Sequence, residues 1–261
     1  MDRTLTALIT GASSGIGLEL ATIFAKNQTN LVLISRNKSD LEKIKVTLEK
    51  VYDVNVYIYA CDLAKPDCAQ QIYEVMSNEG IEINYLINNA GFGDYGEFID
   101  SDAGKNYDMM MLNMVTLTEM THLFLPAMKD HEFGRILNVA STAAFQPGPL
   151  MSVYYATKAF VLSFSEGISQ ELQGSGVTVT VLCPGPTETR FQKTAKLESS
   201  KLFNSVNVMD AQIVAQAGYE AMQDGQVILI PGFVNNAFTI LLRFLPRFIV
   251  RKMVFNLQKK A

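Results

Sequence analysis

Leu5-Thr6-Ala7-Leu8-Ile9-Thr10-Gly11-Ala12-Ser13-Ser14-Gly15-Ile16-Gly17 is the stretch whose reading decides the fold. A short apolar run, Leu5–Thr10, enters a turn carrying three glycines, and a segment with helical spacing follows directly. Gly11 permits a tight turn, Gly15 lets the backbone come close to a pyrophosphate, and Gly17 permits close helix–strand packing. The N–H groups that open the helix, around Ser13, Ser14 and Ile16, have no intrahelical acceptor and attract anionic oxygens. The spacing is G-x-x-x-G-x-G rather than the commoner G-x-G-x-x-G, so the turn takes its meaning from its surroundings.

Working outward, six further runs read as strands: 30–35, 54–60, 83–88, 135–140, 177–183 and 226–231. Several are continuously apolar, as in parallel strands covered on both faces. Between them, residues 15–27, 38–52, 65–79, 103–130, 151–174 and 208–224 have helical spacing. Strand alternating with helix predicts an α/β, doubly wound Rossmann fold with a seven-stranded parallel sheet. No repeat or interdomain linker interrupts residues 1–232, which are expected to form one dinucleotide-binding catalytic domain. Residues 187–209 have weak periodicity and read as a mobile excursion. Residues 233–261 read as a helical C-terminal extension of that domain, broken at Pro246.

The 261 residues are 48% hydrophobic and 18% charged, which excludes disordered and collagen-like classes. Three scattered cysteines, Cys61, Cys68 and Cys183, form no C-x-x-C and suggest neither a disulfide scaffold, a zinc knuckle nor a dithiol centre. No metal is expected, since His122 and His131 have no ligand cluster around them. The N-terminus lacks a secretory-signal pattern, and no clean run of about 20 apolar residues predicts a spanning helix. The net charge of −4 conceals an asymmetry: residues 1–224 carry all 26 acidic side chains against 16 basic ones. Beyond Asp224 stand six basic residues and no acid. An acidic body argues against nucleic-acid binding.

The end of the second strand, Ser35-Arg36-Asn37, lacks the carboxylate that would bind a ribose 2′-hydroxyl. Arg36 instead suits a 2′-phosphate, with Ser35 and Asn37 adding hydrogen bonds, so NADPH (NADP+) is expected in preference to NAD. Tyr154 and Lys158 stand at i and i+4, on one helical face. A lysine ammonium beside a phenol lowers its pKa from about 10 and makes it a usable general acid/base. Tyr155 lacks the i+4 lysine. Ser141, just beyond the fifth strand, suits a donor to a substrate oxygen, and Asn113 suits a holder of a relay water.

Taken in order, these residues resemble the short-chain dehydrogenase/reductase family over roughly residues 4–232. The motifs are Thr10–Gly17, Asp62-Leu63, Asn88-Asn89-Ala90-Gly91, Asn113, Ser141, Tyr154-x-x-x-Lys158 and Pro184-Gly185, with no departure at a catalytic position. The resemblance implies that Tyr154 donates the proton in carbonyl reduction and that Lys158 binds the nicotinamide ribose and tunes Tyr154. It implies that Ser141 orients the carbonyl and that Asn113 completes a relay through water. Asp62 and Leu63 would contact adenine, and Asn89, Ala90 and Gly91 would line the cleft. Pro184 and Gly185 would border the nicotinamide, with Thr187 or Thr189 on its carboxamide. A G-x-S-x-G hydrolase elbow around Ser13 is disfavoured by Gly17 and by the lack of a late histidine.

The phrase 183–189 and the tail look like a bacterial-type branch similar to reductases of long-chain 3-oxoacyl groups and steroids. The expected reaction is NADPH-dependent reduction of a ketone or aldehyde; Phe92, Phe98, Phe145, Leu150, Met151 and Phe191 suggest apolar pocket walls and hence a lipophilic substrate. The alternatives are a catalytically weak nucleotide-responsive binding protein and an NAD-dependent alcohol dehydrogenase. A homodimer or homotetramer in the cytoplasm is expected. Arg243, Arg247 and Arg251 recur every four residues among phenylalanines. The tail therefore either touches a membrane surface or docks on protein.

Overall fold

The computed structural model describes residues 5–195 and 208–259. Seven parallel strands, β1 (Thr6–Thr10), β2 (Asn30–Ser35), β3 (Val56–Ala60), β4 (Tyr85–Asn88), β5 (Gly134–Val139), β6 (Val177–Leu182) and β7 (Ile228–Leu229), form one sheet. Their order is β3-β2-β1-β4-β5-β6-β7. The order reverses between β1 and β4, and the crevice that opens there at the carboxyl ends of the strands is where an α/β sheet binds ligands. The expected Rossmann architecture is present.

Ala7, Leu8, Ile9, Leu31, Val32, Leu33 and Ile34 have no exposed surface, which explains why β1 and β2 are apolar at every position between their polar ends. One face of the sheet packs on α1 (Gly15–Lys26) and α2 (Lys38–Tyr52), the other on α3 (Cys68–Asn78) and α5 (Leu117–Asp130). Burying a leucine- or isoleucine-sized side chain contributes roughly 1.5–3 kcal/mol, so the alternating faces of β1 bind both layers to the sheet.

Two expectations are corrected. The helix expected over 103–130 is α4 (Ala103–Met110), a π turn (Met111–Thr116) and α5 in succession. The π turn inserts one residue per turn and re-aims Asn113. The strand expected over 226–231 pairs only at Ile228 and Leu229, because it lies at the sheet edge with β6 as its single neighbour.

The end of β6 leads into a short helix, α7 (Phe191–Thr194). The expected mobile excursion is pinned at its ends, where Glu188 N donates to Met209 O (2.9 Å) and Met209 N to Pro186 O (2.9 Å). Residues 196–207 lie outside the described residues. Beyond α6 (Ser152–Glu171) and α8 (Ala211–Gln223), the tail forms α9 (Phe233–Leu242) and α10 (Arg247–Gln258). Pro246 precedes α10 directly, so the break falls where expected. No helix among the described residues is long and apolar enough to cross a membrane.

Candidate active site

A cleft of about 990 Å3 runs along the carboxyl ends of the strands. Its floor is the glycine turn. Gly11 has φ +67°, and a Cβ there would lie 2.8 Å from Asn89 Nδ2, so only glycine fits without strain. Gly17 faces away from the cleft, and a Cβ on it would lie 2.5 Å from Gly11 O, which matches the close-packing requirement. Ser13, Ser14, Gly15 and Ile16 line the cleft. Ser14 precedes α1 without a side-chain cap, leaving first-turn N–H groups for an anion.

Asn89, Ala90 and Gly91 also line the cleft. Asn89 Nδ2 donates to Thr10 O (2.9 Å) and Gly11 O (3.3 Å), while Thr10 Oγ1 accepts from the N–H groups of Asn89 (2.9 Å) and Ala90 (3.0 Å). These bonds fasten the turn to the end of β4. Asn89→Ala leaves two partly buried carbonyls without that donor, and is expected to cost about 1–3 kcal/mol. Urea unfolding checks this as a lowered midpoint at unchanged slope.

At the other end of the floor, Ser35, Arg36, Asn37, Asp62 and Leu63 border the cleft. Arg36 is exposed. Ser35 is buried, yet its Oγ has no hydrogen-bond partner. An orphaned hydroxyl facing a cleft is a place for a ligand donor or acceptor. Asn37 Oδ1 caps α2 through Asp40 N (3.2 Å), and Asp62 Oδ1 accepts from Ala64 N (3.2 Å). Sequence reasoning missed Arg190, which crosses from the segment after β6 to Asp40 at 3.2 Å and offsets a carboxylate near Arg36. It also missed a thiol pair: the loop after β3 brings Cys61 and Cys68 Sγ atoms to 2.8 Å, although no C-x-x-C spacing announces them.

In the centre, Ser141, Tyr154 and Lys158 share the cleft wall, delivered by the end of β5 and by α6. Ser141 Oγ accepts from Ala143 N (3.1 Å) and donates to Pro184 O (3.4 Å). Lys158 is buried, with Nζ donating to Val139 O (2.7 Å) and standing 5.8 Å from the centre of the Tyr154 ring. Burial pushes Tyr154 up to about 12, with a hydrogen bond to Ser141 acting in the opposite sense. Burial likewise pulls Lys158 down to about 8. The depression of Tyr154 expected from Lys158 is thus absent: the ammonium is turned to a carbonyl, and removal from water dominates both groups.

Asn113 lies outside the cleft lining, beneath Gly91. Its Oδ1 accepts from Phe92 N (3.1 Å), and its Nδ2 donates to Phe92 O (3.0 Å) and Thr157 Oγ1 (3.0 Å). This side chain ties the strand-end loop to α6; both Nδ2 hydrogens are committed, while Oδ1 keeps a second lone pair. Pro184, Gly185, Thr187 and Thr189 line the cleft. Thr187 Oγ1 donates to Gly185 O (3.0 Å), and Thr189 Oγ1 accepts from Phe191 N (3.2 Å), so neither geometry singles one out.

Beyond Tyr154 the walls are apolar: Phe92, Met151 and Phe191, whose ring lies 5.2 Å from that of Tyr154. Phe98, Phe145 and Leu150 are absent from the lining; Phe98 is 68% exposed and Phe145 packs behind the sheet end. Their places are taken by Phe238, Val254, Leu257 and Gln258 of the tail, and by Tyr155. Gln258 Nε2 donates to Tyr155 OH (2.5 Å). The buried stripe Val250, Val254, Gln258, at i, i+4 and i+8, is a sequence signal from which an inward face of α10 could be read.

The glycine cradle, the uncapped helix start and the orphaned Ser35 hydroxyl fit a dinucleotide. A serine, a phenol and a lysine converging beside it define an oxidoreductase site of one family. The short chain dehydrogenase family model matches residues 5–200, and the chain belongs to that family of oxidoreductases.

Particular relatives resemble it over most of its length. Human very-long-chain 3-oxoacyl-CoA reductase is 31% identical over 261 residues, covering 98% of this chain and 80% of that protein. A short-chain dehydrogenase from Sphingobium yanoikuyae, solved in complex with NADPH, is 30% identical with a TM-score of 0.82. That match covers 93% of this chain and 97% of the other. The bulky-bulky ketone specific alcohol dehydrogenase from Comamonas testosteroni is 29% identical with a TM-score of 0.78, over 98% and 96% of the two chains.

Proposed function

We propose that the protein reduces the carbonyl of a lipophilic ketone or aldehyde with NADPH, residues 1–232 forming the catalytic domain and 233–261 its extension. The observation that carries this reading is the shared wall of Ser141, Tyr154 and Lys158 beside a cradle suited to a dinucleotide. Arg36 and Ser35 would hold the 2′-phosphate, the first turn of α1 the pyrophosphate, and Asp62 the adenine. The bound cofactor supplies the hydride that reaches the carbonyl carbon. The known solved relative with NADPH and the 3-oxoacyl-CoA reductase resemblance support the same cofactor class and a substrate on a long apolar chain.

The chain's own residues manage the proton. Ser141, by turning its one hydroxyl proton away from the long contact to Pro184 O, would donate a hydrogen bond to the carbonyl oxygen, where negative charge develops. Tyr154, protonated throughout the neutral range with its pKa near 12, transfers its proton to that oxygen. Lys158 holds a positive charge close to the phenolate left behind, and restores its proton through solvent. Asn113 would complete a relay through a water accepted at the remaining lone pair of its Oδ1.

The pH dependence follows from these directions. Below about pH 8 Lys158 is charged, and above it the charge is lost. Reductive kcat/KM is therefore expected to be level near neutrality and to fall by about tenfold per pH unit well above pH 8. A stopped-flow or steady-state pH profile measures it, and a rate that rises through that range contradicts the role given to Lys158.

Exposed Met110 of α4, Val115 of the π turn and Phe160 of α6, stacked on Phe164 at 5.8 Å, support association of copies through these helices. The reaction itself is tested by NADPH oxidation against aldehydes, diketones, steroids and 3-oxoacyl thioesters of graded length. Turnover of a carbonyl that increases with chain length supports the reading. Cofactor binding with no turnover of any of them favours the binding-protein alternative.

A further inference from the structure

α9 and α10 have two faces in different surroundings. The inner face buries Leu242, Val250, Val254 and Gln258, and with Phe238 and Leu257 it forms one wall of the cleft. The outer face leaves Phe233 (88%), Phe244 (80%) and Phe248 (56%) exposed, together with Ile240, Leu241 and Ile249. Arg243, Arg247, Arg251, Lys252 and Lys259 are exposed among them. Aromatic and aliphatic side chains gathered in this way on a helix pair mark an interaction face.

We infer that this outer face docks on an anionic lipid bilayer, and that docking sets the cleft wall formed by the same helices against the lipid from which an apolar substrate enters. The docking clause stands on the tail alone; the delivery clause rests on the carbonyl-reductase reading.

Charge selects the occupant. The helices themselves contribute cations only, no Asp or Glu standing after Asp224, and Asp94, Glu97 and Asp100 border the pair at the Phe255 and Lys259 end alone. Two copies packed through it would press two sets of arginines together, which opposes association. Anionic headgroups complement the same set, each Lys or Arg near the surface adding to the attraction. The geometry agrees with this choice. Arg243, Arg247 and Arg251 have long apolar stems that can reach up to headgroup level, while phenylalanines beside them enter the acyl boundary. Neither α9 (10 residues) nor α10 (12 residues) is long enough to span the hydrocarbon core, so the pair lies in the interface plane.

Continuity with the cleft gives the docking a use. A long-chain carbonyl compound partitions into bilayers and is scarce in water. An enzyme whose pocket wall rests on the bilayer collects that substrate without releasing it to solvent, and the apolar lining of Phe92, Met151, Phe191 and Phe238 receives the chain.

The test is co-sedimentation of the full chain with phosphatidylcholine vesicles, with and without phosphatidylserine. Parallel assays use a short water-soluble ketone and a long-chain ketone dissolved in the vesicles. Binding to the anionic vesicles alone is expected, weakened at least about tenfold in R247E/R251E and also weakened in F244S/F248S. With the soluble ketone, kcat/KM is expected to be unchanged in both variants, which confirms that they fold. With the vesicle-borne ketone it falls in parallel with binding. Wild-type protein that ignores anionic vesicles, or variants that bind as wild type does, overturns the docking. An oligomer that these substitutions dissociate, with no vesicle binding, assigns the face to a second copy instead. Intact docking with equal turnover of the vesicle-borne ketone by both variants overturns delivery. Docking without turnover of either ketone rejects the reductase reading and leaves the docking in place.

Discussion

Tyr154→Phe is expected to lower carbonyl reduction by about 10²–10⁴-fold, the range associated with removing a positioned general acid, while the affinity for NADPH changes little. The ring packs against Phe191 at 5.2 Å and against Tyr155 at 6.0 Å, and phenylalanine keeps both contacts. The lost atom is the hydroxyl alone. It is the group with the proton to give, because burial holds the phenol protonated through the neutral range. Without it, the negative charge that develops on the substrate oxygen is met by Ser141 only, and no acid completes the reaction. Fluorescence titration with NADPH and steady-state turnover separate the two effects. A variant retaining a tenth of wild-type turnover would sink the assignment and turn attention to Tyr155, whose hydroxyl also borders the cleft.

The second large effect is expected at Arg36. On the proposed reading, Arg36→Asp would remove a charge-assisted hydrogen bond to a 2′-phosphate, worth about 1.5–3 kcal/mol, and set a like charge in its place. The expected result is a fall of roughly 10²-fold in kcat/KM with NADPH and little change, or a gain, with NADH. The local electrostatics sharpen the expectation. Asp40 already stands at this end of the cleft, held by Arg190 at 3.2 Å. A second carboxylate at position 36 would have no such partner. Because Arg36 is exposed, the substitution leaves the core intact and the melting temperature is expected to stay close to that of wild type. Equal kcat/KM for the two cofactors in the wild-type enzyme would remove the basis for NADPH preference.

The fold was largely legible before any tertiary information, for a physical reason. Parallel strands covered on both faces carry apolar residues on both, so the centres of β1 and β2 announce themselves as runs, and the helices between the strands keep a period near 3.6. The errors fall where that reason lapses. β7 is an edge strand with pairing at only two residues, and its apolar run overstated its length. The π turn at Met111–Thr116 has no periodicity of its own and was absorbed into the surrounding helical pattern.

The candidate site divides in the same way. Ser141, Tyr154, Lys158 and the glycine turn could be placed from spacing, because i, i+4 geometry and a strand–turn–helix order are local. The pocket walls could not. Phe98, Phe145 and Leu150 lie close to the right loops in sequence but face elsewhere, while Phe238 and Gln258 reach the cleft from the far end of the chain.

What the sequence determined by itself is therefore the sheet, the glycine turn and the chemical identities of Ser141, Tyr154 and Lys158, all encoded in short-range patterns. Only the tertiary structure decided the electrostatic state of those groups. Tyr154 is raised to about 12 and Lys158 lowered to about 8 by burial, a property of everything packed around them. It also decided that the C-terminal helices close the cleft on one side and remain bare on the other, since packing across more than a hundred residues, as between Tyr155 and Gln258, leaves no trace in local spacing.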